Sequence, residues 1–197
     1  MRSDSATLKH VALRLIAVLG EDSCMVIGAI AVAAHGYARA TTDVDLVSRI
    51  PLVEARKRLS AKGVRSVLRQ GEKRADDFPC LRGVLNGVEF DILPPLVPIK
   101  WENAVDVPLG GGVKLRVVDL RTLIHLKLLA GGPQDVLDVV MLLQRRPEHL
   151  ARARALATAY RVADRLESFM SDPRIKAKAP RPARRPTPRR QRRGKKT

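Results

Sequence analysis

Asp43 and Asp45 stand two residues apart, separated by Val44 in the run Asp43-Val44-Asp45-Leu46-Val47. Alternating charged and apolar residues read as a strand with one wet face, and residues two apart on a strand project to the same side. Both carboxylates therefore meet one site. Like charges held together are costly unless a cation joins them, and oxygen ligands of this kind suit Mg²⁺ or Mn²⁺. Asp91 offers a third acid, with Glu89 on its face and Phe90 and Ile92 on the other. Upstream, a short apolar run ends at Gly28-Ala29 and passes into an Ala-rich helix. A strand turning into a helix there leaves backbone N–H groups unpaired beside a chain that a phosphate can approach closely. Such a turn with two or three carboxylates is the equipment of metal-assisted nucleotidyl transfer. Asp43, Asp45 and Asp91 are thus expected as metal ligands and catalytic acids, and Gly28 and Ala29 as phosphate contacts.

Each of these residues also has an ordinary structural reading. Asp43 and Asp45 could form a solvated strand end, Asp91 the polar side of a hairpin, and Gly28 a plain turn. Arg39 could bridge a phosphate or pair with Asp43 or Asp45. Lys127, mid-helix among leucines, could reach phosphate or simply snorkel to water. Asp135 follows Pro133 at a helix start, where the helix dipole favours an acid without any functional motive, and Asp138 carries no stronger signal. His35 precedes a glycine at a helix end and needs no catalytic role. Gly110-Gly111-Gly112 lacks a following Lys-Ser/Thr, so it reads as a flexible loop and not a phosphate loop.

The elements that must position these groups follow from periodicity. Leu8, Val11, Ala12, Leu15 and Leu19 predict an amphipathic helix over Ser5 to Leu19. A strand over Cys24 to Ile27, a helix over Ala29 to Ala34, the Asp43 to Val47 strand and a charged helix from Pro51 to about Lys62 come next. Strands are expected at Val64 to Leu68, Cys80 to Leu85 and Val88 to Leu93, the last two joined by Asn86-Gly87, a strong signal for a tight hairpin. Val113 to Val118 is a further strand, followed by helices over Asp119 to Ala130, Pro133 to Gln144, and Pro147 to about Met170. The order predicts an α+β fold with a mixed or mostly antiparallel sheet flanked by helices and a helical C-terminal part.

Of 197 residues, 37 are Lys or Arg against 20 Asp or Glu, a formal charge of +17. Twelve of the basic residues and none of the acids lie between Arg174 and Thr197, interleaved with Pro180, Pro182, Pro186 and Pro188. Such a segment cannot bury enough apolar surface to order itself, so a core over residues 1–170 and a disordered basic tail over 171–197 are expected. The tail's charge suits a polyanion, though it could be solely solubilising. Aromatic residues make up 3% of the chain, which argues against a stacking platform for single strands. The longest apolar stretch, Cys24 to Ala34, is too short to span a membrane, and Arg14, Glu21 and Asp22 do not suit a secretory leader. Cys24 and Cys80 form no CxxC pair and read as buried thiols, so a reducing cytoplasm is expected.

Ile27-Gly28-Ala29, a thirteen-residue spacer and Asp43-Val44-Asp45-Leu46 resemble the signature of the DNA polymerase β-like nucleotidyltransferase superfamily. The wording from His35 to Thr42, with Leu123 to Ala130 and Asp135-Val-Leu-Asp138 downstream, is similar to the small bacterial branch containing AbiEii-type toxins and minimal nucleotidyltransferases. The likeness spans roughly residues 24–145. Two departures stand out: Ala29 replaces the usual Gly or Ser, and Gly131 to Gln134 stands where the branch has basic residues. The resemblance implies transfer of an NMP from an NTP, with Mg²⁺ or Mn²⁺ on Asp43, Asp45 and Asp91, and nucleotide contacts from Gly28, Ala29, Arg39 and Lys127. RNA is the favoured acceptor because of the tail, and a toxin–antitoxin role with a cognate antitoxin belongs to that branch. The rival reading is a non-enzymatic nucleic-acid-binding protein on a degenerate core; an antibiotic-modifying enzyme is a third.

Overall fold

The structure, a computed structural model, describes residues 5–71 and 78–177. Its elements follow the order helix α1 (Ser5–Leu19), strand β1 (Cys24–Val26), α2 (Gly28–Ala34), β2 (Asp43–Ser48), α3 (Leu52–Ala61), β3 (Ser66–Arg69), β4 (Cys80–Leu85), β5 (Val88–Leu93), β6 (Val105–Gly110), β7 (Val113–Val117), α4 (Leu120–Ala130), α5 (Pro133–Leu143), α6 (Leu150–Ala159), α7 (Ala163–Ser171) and α8 (Pro173–Lys176). The seven strands form one sheet in the order β3-β4-β5-β2-β1-β7-β6. β2 is parallel to β5 and β1 to β7, while the remaining pairs are antiparallel. The fold is α+β with a mixed sheet, as expected.

The pleat decides which side is dry. Val44 and Leu46 of β2 and Val88, Phe90 and Ile92 of β5 alternate with acids and are all buried. They face the layer made by α1 and α3, whose Val11, Leu15, Leu19, Ala55 and Leu59 are fully enclosed. Burying each such aliphatic side chain is worth about 1.5–3 kcal/mol, so this layer fixes the register of β2 and β5. A second core lies among the C-terminal helices, where Leu128, Val136, Val139, Ala153, Ala157 and Leu166 pack together. Cys24 is buried, and that burial pushes its thiol up to about 12, which fits an inert core residue. Among the described residues no helix is long and apolar enough to cross a membrane.

Three expectations need correction. The Gly110 to Gly112 segment is not a loose loop: it turns β6 back onto β7, and all three glycines have positive φ. β6 is the outermost strand, where Pro108 forfeits no essential ladder bond, which is why its sequence does not read as a strand. The helix expected over Pro147 to Met170 is broken at Tyr160–Val162. Arg161 takes φ +59° there, and the Tyr160 hydroxyl shares a 2.6 Å hydrogen bond with His125 Nε2 of α4. Finally, α7 runs to Ser171 and α8 covers Pro173–Lys176, capped by Asp172, so the tail does not begin at residue 171. The rest of the tail, residues 178–197, lies outside the described residues.

Candidate active site

Asp45 and Asp91 are direct partners on the adjacent parallel strands β2 and β5, as are Asp43 and Glu89 one step along. Partners on neighbouring strands about 4.8 Å apart project to the same face, so four acids cluster on the side of the sheet away from α1 and α3. Gly28 closes over them. It enters α2 at φ +63°, and a Cβ built there would overlap Asp45 Oδ2 and stand 2.8 Å from Asp45 Cγ. Only a glycine lets the turn approach the carboxylate this closely. The first-turn amides of Gly28 and Ala29 have no acceptor one helical turn back. The main chain ties the turn to the acids as well, because Ile27 N–H donates to the Asp45 carbonyl at 2.9 Å.

Electrostatics mark Asp45 as the centre of the cluster. Burial, reinforced by the charges of Asp43 and Asp91, raises its carboxyl to about 7, against a weaker opposing pull from Lys127. The other two acids are partly engaged. The Thr41 hydroxyl donates to Asp43 Oδ1. Arg82, the cross-strand partner of Asp91 on β4, donates from Nε to Oδ1 at 2.8 Å and from Nη2 to Oδ2 at 2.5 Å. Held that way, no three His, Cys, Asp or Glu side chains among the described residues close into a metal cage. The donor set nevertheless fits a hard cation. Oxygen ligands converge from two strands, and the burial and like-charge repulsion that together raise Asp45 are what a divalent ion would offset.

Arg39 and Lys127 take part in a different arrangement from the one expected. Arg39 turns away from Asp43 and Asp45 and grips Asp138 of α5, with Nε–Oδ1 at 2.8 Å and Nη2–Oδ2 at 3.0 Å. Lys127 lies between Asp135 at 2.7 Å and Asp138 at 3.1 Å. Burial depresses Lys127, but the two carboxylates more than offset it and hold the ammonium above its ordinary range. Gln134 Nε2 donates to Asp138 Oδ1 at 2.9 Å, so the fully buried Asp138 has three partners. Lys127 is thus not a snorkelling lysine, and Asp135 is more than a helix-dipole acid. The weight of Asp138 escapes a reading of the sequence, and Arg82 is not among the residues singled out above, although the Asn86-Gly87 turn places it opposite Asp91. Asp138 is the lone acid in the apolar run Val136-Leu137-Asp138-Val139-Val140, and that isolation is its signal. His35 ends α2, with Nε2 2.8 Å from the Val118 carbonyl.

Substituting Gly28 by Ala should therefore push Asp45 aside. Strain at positive φ together with the overlap is expected to cost about 1–3 kcal/mol. If these acids hold a cation, the stabilisation that Mn²⁺ is expected to give to thermal unfolding should vanish with it. A Gly28→Ala protein with unchanged melting and an unchanged response to Mn²⁺ would show that this turn does not hold the acid in place.

No protein-family model and no curated protein matches the chain. Solved structures do. A Thermotoga maritima protein described as a candidate nucleotidyltransferase superposes with a TM-score of 0.52 at 15% identity, over 66% of this chain and 88% of that one. ANT(2″)-Ia, in complex with adenylyl-2″-tobramycin, superposes with a TM-score of 0.53 at 12% identity, over 80% of this chain and 98% of that one. Together with the sheet order and the paired acids of β2 and β5, these likenesses show that the chain has the nucleotidyltransferase fold.

Proposed function

We propose that the protein is a metal-dependent nucleotidyltransferase that moves an NMP from an NTP to an acceptor, with RNA the favoured acceptor. The observation that carries this reading is the alignment of Asp45 with Asp91 beneath the Gly28 turn, with Asp43 beside them. Asp43 and Asp45, completed by Asp91, would hold Mg²⁺ or Mn²⁺, which supplies charge stabilisation for the phosphates during in-line displacement. The backbone amides of Gly28 and Ala29 orient the triphosphate, and Ala29 offers no hydroxyl to replace them. Lys127, clamped by Asp135 and Asp138, brings a fixed positive charge to the same end of the site. Asp91 accepts the proton of the acceptor hydroxyl once Arg82 has parted from it. The hydroxyl oxygen then forms its bond to the α-phosphorus as the bond to pyrophosphate breaks.

The basic C-terminal segment supports RNA, and the match of residues 35–42 and 123–138 to the AbiEii-type branch extends the reading to a toxin with a cognate antitoxin. A small-molecule acceptor is the second reading, favoured by the nucleotide joined to tobramycin in ANT(2″)-Ia. The groove beside the acids counts against a polycationic acceptor. It has a volume of about 630 Å³, is walled by Ala29, Ile30, Leu109 and Leu115, and has Lys9 and Arg39 among its lining residues.

Incubating the full chain with each labelled NTP, Mg²⁺ or Mn²⁺ and total RNA, beside a panel of small acceptors, tests the proposal. Label should pass to RNA; transfer only to small acceptors would replace RNA by the second reading. Removing residues 178–197 is expected to weaken RNA binding and flatten its salt dependence, by roughly 0.7 in log–log slope for each phosphate that the segment grips. NTP binding should be unaffected. Identical slopes for the two forms would reduce the segment to a solubilising extension.

A further inference from the structure

Arg82 stands on the far flank of the acids from the Gly28 turn. Along the sheet, the acids of β5 and β2 lie between Arg82 on β4 and the turn that leaves β1. Three strand spacings separate the two, roughly 14 Å. The pleat nevertheless puts Arg82 on the same face as Asp91, its direct partner across the hairpin. Its guanidinium holds both oxygens of that carboxylate, Nε on Oδ1 at 2.8 Å and Nη2 on Oδ2 at 2.5 Å. Gripped in this way, Asp91 serves neither a cation nor an acceptor hydroxyl.

Three observations mark this tie as exchangeable. The Arg82 side chain is 44% exposed and that of Asp91 21%, so the pair lies at the open rim of the site, where water weakens it. The tie between Arg39 and Asp138 is of another kind, because its carboxylate is fully buried and shared with Lys127. Secondly, the sheet face beside Arg82 is open: Val67 and Val84 are exposed, and Arg69 stands on the same face of β3. The third observation is direction. In-line transfer brings the acceptor to the α-phosphorus from the side opposite the departing pyrophosphate. With the triphosphate on the Gly28 amides, the acceptor approaches across β4 and β5. A guanidinium there meets the group next to the attacking hydroxyl, and a phosphate is what it takes in the same two-pronged way as a carboxylate.

We propose that Arg82 is both a latch on Asp91 and the acceptor's phosphate contact, so that the site selects acceptors carrying a phosphate next to the reacting hydroxyl, as a terminal nucleotide does. Arrival of that phosphate draws the guanidinium off Asp91, which then joins Asp43 and Asp45. Only hydrogen bonds are exchanged. The acceptor's role rests on the transferase reading above; the exchange itself does not. A phosphate on Arg82 and a divalent ion on the acids therefore favour each other, and such coupling is reciprocal.

The test measures that coupling in the full-length protein. A fluorescein-labelled single-stranded RNA with a free 3′ hydroxyl is titrated without divalent ions and at saturating Mn²⁺, at matched ionic strength. Mn²⁺ should tighten RNA binding by the parent about fivefold or more. Arg82→Gln should lose that response. Arg69→Gln removes the same charge from the same face, two strands from Asp91, and should keep it. A parent without the response, an Arg82→Gln protein that retains it, or an Arg69→Gln protein that loses as much overturns the proposal. Melting curves check the fold of each variant. Should Arg82→Gln fail to fold, Arg82→Lys, which keeps the charge without the fork, is expected to show a smaller response, and a parental one overturns the latch.

Competition identifies the source of the phosphate. Displacement of the RNA by a 5′-mononucleotide, strengthened by Mn²⁺, means that a small phosphorylated acceptor suffices; its absence means that an RNA end is needed. A nucleoside that gains as much from Mn²⁺ removes the phosphate from the account. Coupling without transfer of label to any acceptor leaves the latch and removes the transferase reading; transfer without coupling does the reverse.

Discussion

Replacing Asp45 by Asn is expected to stop nucleotidyl transfer and, at the same time, to make the metal-free protein harder to unfold. The two effects share one cause. Asp45 sits under the Gly28 turn beside Asp43 and Asp91, so its negative charge, which the proposed cation would use, is costly to the fold. Losing a charge that supports the metal should reduce turnover on the order of 100-fold or more. Its carboxyl, raised to about 7 in the folded chain from an ordinary 3.8, holds a proton that the unfolded chain has released over that range. A raised carboxyl contributes stability that is complete below the unfolded value and is lost as pH climbs through the folded one. Each tenfold change in proton affinity between the two states is worth about 1.4 kcal/mol, so the parent protein without divalent ions should lose roughly 2–4 kcal/mol between about pH 4 and pH 7. The Asn variant should lose little of it. Adding Mn²⁺ at about pH 8, above the folded value, should restore the parent and leave Asp45→Asn unmoved. Urea unfolding with and without Mn²⁺ measures both; a variant less stable than its metal-free parent at that pH, or one that still transfers label, would refute this account of the site.

The largest loss of stability should come from Asp138→Ala. Asp138 is fully buried and answers Arg39, Lys127 and Gln134. Removing it leaves Arg39 without a carboxylate and Lys127 with Asp135 alone in a buried network, a change worth about 3 kcal/mol. Arg39→Met should cost much less, because Lys127 still neutralises Asp138. Chemical unfolding of both variants decides the matter: a loss under about 1 kcal/mol for Asp138→Ala would mean that water reaches the network and shields it.

Much of this arrangement is legible in the chain, and the parts that are not have a common reason. The short-range elements follow from local chemistry. Leu8 to Leu19 stripe one side of α1, and Asn86-Gly87, both at positive φ, form the tight turn between β4 and β5. That turn also sets a register. With two residues in the loop, Leu85 pairs with Val88, and counting outward puts Arg82 opposite Asp91. The ion pair that engages the third acid could thus be read from the hairpin alone. The position of Asp45 beside Asp91 could not, since β2 and β5 pair across all of α3, β3 and β4. Nor could the partner of Arg39. Nearby Asp43 and Asp45 look natural for it in sequence, but a carboxylate from α5, distant along the chain, lies closer in space.

The parallel pairing of β2 with β5 also sets when the protein becomes competent during its synthesis. A parallel pair cannot close through a tight turn, and this one waits for α3, β3 and β4 to be made and placed. Contacts so far apart in sequence form late, after local helices and hairpins. Until β5 docks, Asp45 faces solvent on an unpartnered strand edge, and Lys127 and its two acids have yet to leave the ribosome. A nascent or truncated chain ending before α5 therefore has the Gly28 turn and the Asp43–Asp45 pair but not Asp135 and Asp138, and the arrangement closes only once α5 has been made.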